Sequence, residues 1–177
     1  MKLDVHRRLA EIHAAQGKGY GKLVQKLLAL AFLDAGATRV TERSIQGIDL
    51  ELTLADGRDI AVEVKTSEPG ASGEISFGKK DVQGLVAREE QGFAPYFAAL
   101  GNRLLDDWLF VPYEAGEIQT GTAYSPTRLR PYRDRELESI VDDTFSAAVV
   151  RHGGTAAESG QVALDEVLRT YDGYRTA

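Results

Sequence analysis

The chain has 177 residues, of which 43% are hydrophobic, a net charge of −6 and no cysteine. That length suffices for one globular domain with a real core, and the missing cysteines exclude disulfides, thiolate metal sites and cysteine nucleophiles. An acidic chain has no global attraction to nucleic acid, so an enzyme acting on DNA with this balance must gather its cations locally.

The start, MKLDVHRRLAEIH, carries charges where a secretory signal needs an apolar run. The longest apolar stretch, Leu27 to Leu33, is far too short to span a bilayer. A soluble, cytoplasmic protein with no membrane partner is expected. Residues 1–16 read as a short amphipathic helix with Leu3, Leu9 and Ile12 apolar, interrupted by QGKGYG. A stronger helix runs from Lys22 to Ala35, where Gly36 stops it. TRVTERSIQ then reads as a first strand, and GIDLELTL and DIAVEVKT as the arms of a hairpin. SEPGASGE is loop chemistry, a helix is expected over 79–91, and APYFAAL and DWLFVPY are further strands. This order predicts an α/β fold, with helices packed around one mixed sheet. From Tyr124 the composition changes to SPTRLRPYRDRE, followed by helices over 134–150 and 161–171 with RHGGTAAESG between them. The expected division is a core of 1–120 and a helical C-terminal extension of 121–177.

The hairpin decides where the charges go. Arm one sets Ile48, Leu50, Leu52 and Leu54 against Asp49, Glu51 and Thr53; arm two sets Ile60, Val62 and Val64 against Ala61, Glu63 and Lys65. A two-residue Asp56-Gly57 turn would pair Asp49 with Val64 and bury charge, because antiparallel partners point the same way. A three-residue turn, Ala55-Asp56-Gly57, instead sets Leu50 opposite Val62 and Asp49 opposite Glu63. Two carboxylates facing each other across a ladder repel. Gathered beside Lys65, they are what a hard divalent cation asks for, with the ammonium near an attacking water.

Gly47-Ile48-Asp49, a short hairpin, then Glu63-Val64-Lys65 resembles the core motif of the PD-(D/E)XK nuclease superfamily, in the flavour of archaeal Holliday-junction resolvases. The resemblance spans residues 19–115 and says nothing about 120–177. It implies a restriction-endonuclease-like fold: a central mixed β-sheet flanked by helices. It also implies that Asp49, Glu63 and the Val64 carbonyl hold Mg²⁺, with Mn²⁺ as substitute, while Lys65 positions the water. There is one departure. Such families often carry a glutamate on the first core helix, and here that register falls on Gln25, which supplies no negative charge. Glu42 and Glu51 are the nearest carboxylates to recruit in its place.

For DNA contacts, Lys79, Lys80 and Gln83 open the helix after the hairpin, where resolvase-like relatives approach the scissile phosphate. They can equally be exposed side chains, since cations at a helix N-terminus oppose the macrodipole. Arg128 and Arg130, with Arg133, Arg135 and Tyr132, make the densest basic patch. Asp134, Glu136 and Glu138 dilute it, which leaves a solvated surface as the other reading. His6, His13 and His152 show no ligand spacing, and no Ser-His arrangement is recognisable. The expected function is a metal-dependent DNA endonuclease, structure-specific and homodimeric. The alternative is a catalytically decayed module on the same fold that binds nucleic acid or a protein.

Overall fold

The computed structural model describes residues 2–43, 47–67, 74–101, 107–114 and 118–177. Its sheet grows outward from the hairpin. Strand β2 (Leu50–Thr53) pairs antiparallel with β3 (Asp59–Thr66), Leu50 opposite Val62 and Leu52 opposite Ile60. This is the register of the three-residue turn. Leu54 N–H closes it on Arg58 O at 2.9 Å, and Gly57 takes φ +89°, a region that favours glycine.

Four more strands complete the sheet: β1 (Arg39–Glu42), β5 (Ala94–Leu100), β6 (Trp108–Pro112) and β8 (Tyr174–Thr176). The order is β6-β5-β3-β2-β1-β8, with β3–β5 and β1–β8 parallel and the other pairs antiparallel. A separate two-stranded ladder joins β4 (Ile75–Ser76) to β7 (Ala123–Tyr124).

Both faces of the sheet are covered. On one lie α1 (Leu3–Gln16), α2 (Tyr20–Asp34), α5 (Arg135–Ser159) and α6 (Gln161–Leu168), packed on Leu50, Leu52, Val62, Ala98 and Phe110. Every residue of α2 from Leu23 to Leu33 is buried, covered by sheet and helices together, and all but Gln25 and Lys26 are apolar. On the other face, α3 (Lys79–Glu89) and α4 (Pro126–Leu129) cover Ala61, Phe97, Ala99, Leu109 and Val111.

Three features depart from the sequence reading. Ile48, expected beside Leu50, sits in the α3 layer, because the ladder starts only at Leu50. The segment RHGGTAAESG does not end a helix: α5 runs through it to Ser159 and stops at Gly160, φ +64°. Gly153 is there for contact, since a Cβ on it would lie 2.3 Å from Arg8 Cγ on α1. Residues 121–177 are also more than a helical extension. They supply β7 and β8, and Phe145 stacks edge-on against Trp108 at 5.2 Å. Ser44 to Gln46, expected in the first strand, and Glu68 to Gly73, expected as loop, lie outside the described residues. Among the described residues no helix is long and apolar enough to cross a membrane.

Phe145→Ala should therefore cost ~3–5 kcal/mol in urea unfolding, the range for emptying a buried aromatic site. Truncation before Tyr124 should leave an unfolded chain by circular dichroism, because it strips α5 and β8 from the core.

Candidate active site

Asp49 stands where β2 gives out. Its N–H donates to Val62 O at 3.1 Å, and its Oδ2 accepts the Val64 N–H at 2.9 Å. The side chain thus continues the ladder for one bond beyond the strand. In an antiparallel pair a residue's N–H and C=O point to the same edge, so the Val64 carbonyl also faces Asp49. Glu63, on β3 between them, is only 6% exposed. Its Oε1 accepts from Lys65 Nζ at 2.7 Å.

A further carboxylate reaches the same ammonium. Asp81, in the first turn of α3, sets its Oδ2 at 2.7 Å from Lys65 Nζ and accepts the Gly78 N–H at 2.8 Å. Two glycines allow α3 to come this close. A Cβ on Gly84 would lie 2.1 Å from Gly47 O, and one on Gly47 would lie 2.6 Å from Lys80 O. Gly47 also has φ +107°. Here the helix backbone rests directly on the start of the Gly47-Ile48-Asp49 motif.

The electrostatics follow from burial and crowding. Burial pushes the Asp49 carboxyl above its ordinary range, against the Val64 N–H and the charges of Lys22 and Lys65 that hold it down. Burial and then the Asp49 charge push Glu63 up from 4.5 to about 8. For Lys65, burial disfavours the ammonium, but the Glu63 charge and the Asp81 hydrogen bond outweigh it, and its pKa rises. Asp81 is also opposed by burial, yet Lys65 and the Gly78 N–H hold it below the usual carboxylate range. Lys65 is thus held as a cation and Asp81 as an anion, while Glu63 is pushed up to about 8.

The donors fit a hard divalent cation. Carboxylate and carbonyl oxygens suit Mg²⁺ or Mn²⁺, and two buried acids forced together are relieved by positive charge. Among the described residues, no group of three or more His, Asp or Glu is arranged to hold a metal ion.

Gln25 lies against the main chain of Asp49. It is buried on α2, and its Nε2 donates to the main-chain O of Asp49 and to Glu42 Oε1, both at 3.2 Å. It therefore steadies the Asp49 backbone from the helical face. Glu42 is buried with Lys26 Nζ at 2.7 Å and also accepts the Tyr174 hydroxyl. Glu51 is held by Arg43 at 2.9 Å and Arg88 at 2.5 Å. Neither acid joins Asp49 and Glu63.

Lys79, Lys80 and Gln83 lie exposed on the first two turns of α3, flanking Asp81. Arg128 is exposed over the Tyr124 ring at 5.0 Å. Arg130 lines a cleft of about 230 Å³ with Ala99, Leu109 and Arg133. Ala99 is the β5 partner of Lys65, so this cleft lies one strand over from the acidic site. Asp81 and Lys22 escaped the sequence reading. Asp81 reads as an ordinary acidic residue in a first helical turn, and nothing local marks Lys22, whose charge acts on Asp49 across the fold.

No family model matches the chain, and no curated protein matches it. Among solved structures the fold is similar to Hjc of Archaeoglobus fulgidus, a Holliday junction resolvase from an archaeal hyperthermophile. The TM-score is 0.52 at 15% sequence identity, covering 67% of this chain and 95% of that one. That likeness shows the fold alone: a six-stranded mixed sheet flanked by helices.

Gly84→Ala should lower stability by about 1–3 kcal/mol in urea unfolding, because the new methyl meets main chain that cannot turn aside. Glu63 sets a pH dependence. The folded chain keeps a Glu63 proton that the unfolded chain releases, so stability falls as pH rises from about 4.5 to about 8. Glu63→Gln should flatten that part of the profile, measured as urea midpoints at about pH 5 and about pH 8.5.

Proposed function

We propose that this chain is a metal-dependent DNA endonuclease of the PD-(D/E)XK type, hydrolysing phosphodiester bonds at Asp49, Glu63 and Lys65. One observation carries the reading. The hairpin register and the end of β2 bring two acids of raised pKa beside a firmly charged lysine. A purely structural hairpin gains nothing from this crowding, whereas a cation site depends on it.

Asp49, Glu63 and the Val64 carbonyl would hold Mg²⁺ or Mn²⁺, which when bound supplies Lewis acidity to the phosphate and to the attacking water. The protein's own residues do the rest. Lys65 keeps its proton, so it acts as a donor to a phosphate oxygen and stabilises charge there, rather than serving as a general base. Glu63 gives up its proton as pH rises toward 8, which makes its carboxylate available. Gln25 fixes the Asp49 main chain behind the reacting face. Lys79, Lys80 and Gln83 on α3, and Arg128 and Arg130 beside the neighbouring cleft, are proposed to meet the DNA backbone, where cations contribute affinity without sequence preference.

The fold neighbour is a Holliday junction resolvase, so four-way junctions are the first substrate to try. We propose a homodimer, since one site cuts one strand and two copies cut both. A binding-only module on the same fold is the second reading. It is favoured by the absence, among the described residues, of a third carboxylate arranged with Asp49 and Glu63 for metal.

Nicking of supercoiled plasmid and of four-way-junction DNA decides between the two. The expected result is cleavage with Mg²⁺ or Mn²⁺ and none with EDTA. Asp49→Ala, Glu63→Ala and Lys65→Ala should each lower the rate by ~100-fold or more, the scale for removing a transition-state contact. Tight DNA binding by the purified wild type, with no cleavage in either metal, would establish the binding module instead.

A further inference from the structure

We infer that Asp81 is a positioning residue for Lys65, receiving the ammonium that Glu63 must give up when Glu63 turns to a divalent cation. The inference rests on the metal-dependent reading above and adds a residue to it. Lys65 Nζ lies 2.7 Å from Glu63 Oε1 and 2.7 Å from Asp81 Oδ2. A cation held between Asp49 and Glu63 competes with this ammonium for the same Glu63 carboxylate. Lys65 is three-quarters withdrawn from solvent, and a desolvated ammonium without a partner is expensive. With Glu63 as its sole carboxylate, Lys65 would hold on to it and resist the metal.

Asp81 removes that conflict, and its own position does not depend on Lys65. Its Oδ2 is anchored by the Gly78 N–H at 2.8 Å, and α3 is set on the hairpin by the Gly47 and Gly84 backbones. Glu63 can therefore leave Lys65 while the ammonium remains charged, paired and inside the site.

The test is calorimetric titration of the intact protein with Mn²⁺ alone, without DNA, for wild type, Asp81→Asn, Lys65→Met and the double variant. Asparagine keeps an acceptor for the Gly78 N–H, so the start of α3 is retained; Asp81→Glu, which keeps the charge, provides a second variant. Lys65→Met should tighten Mn²⁺ binding. Asp81→Asn should weaken it by about tenfold in the wild type but by less than about threefold beside Lys65→Met, the mark of coupled neighbours. Asp81→Glu should remain within about threefold of wild type. Equal weakening in both backgrounds would mean that Asp81 acts on the cation by its own charge, which overturns this inference alone. An Asp81→Asn protein that binds as wild type does would overturn it as well. A wild type that takes up no Mn²⁺ overturns the metal-dependent reading, and this inference with it.

Discussion

Antiparallel partners point to the same side of a sheet, and in this protein that constraint orders everything around the site. The three-residue turn at Ala55 to Gly57 sends Leu50, Leu52, Ile60 and Val62 into one core layer. The opposite parity then falls to Glu51, Ala61, Glu63 and Lys65. The residues that build the core and those that crowd the acids are therefore interleaved on the same short strands. Shifting the register by one residue would exchange the two sets, burying charge and exposing leucine. Stability of the core thus enforces the geometry of the site, although no acid in it contributes to packing.

The two faces of the sheet handle charge differently. Behind it, Lys26 and Glu42 are nearly inaccessible and fully partnered, with Asp165 and Tyr174 completing the set. Such a cluster favours one arrangement of helix and strand over its alternatives, because any slip leaves a buried charge alone. In front, Asp49 and Glu63 are crowded without enough positive charge nearby. Gln25 joins the two regions through a neutral amide, which passes position but not charge. The contrast explains why glutamine suits that place: a carboxylate there would face both the Asp49 carbonyl and Glu42.

Much of this could be read from the sequence because it follows from alternation and turn chemistry, both local. The hairpin register, the α2 core helix and the proximity of Asp49, Glu63 and Lys65 each come from residues within a single hairpin or a single helix. What could not be read depends on distance along the chain. Gly153 looks like a helix breaker, and its role in admitting Arg8 of α1 is visible only once the helices cross. Tyr174 to Thr176 is too short to announce a strand, and β1 alone gives it a place. Asp81 looks like ordinary first-turn chemistry until α3 docks on Gly47. Gln25 falls beside Asp49 by helical position, while the way its amide turns is decided by its partners, Glu42 and the Asp49 carbonyl.

The Tyr174 hydroxyl bond to Glu42 joins residues 132 positions apart, and β8 enters the sheet beside β1 in parallel. Contacts of such long range form late, because loop closure must be achieved before they return any stability. During synthesis the hairpin and α2 therefore wait for α5, α6 and β8, which share their core, before they can close. Until then Gln25, which holds the Asp49 backbone, rests on a Glu42 that lacks its tyrosine. The acidic site lies near the middle of the chain, yet its completion depends on residues made last.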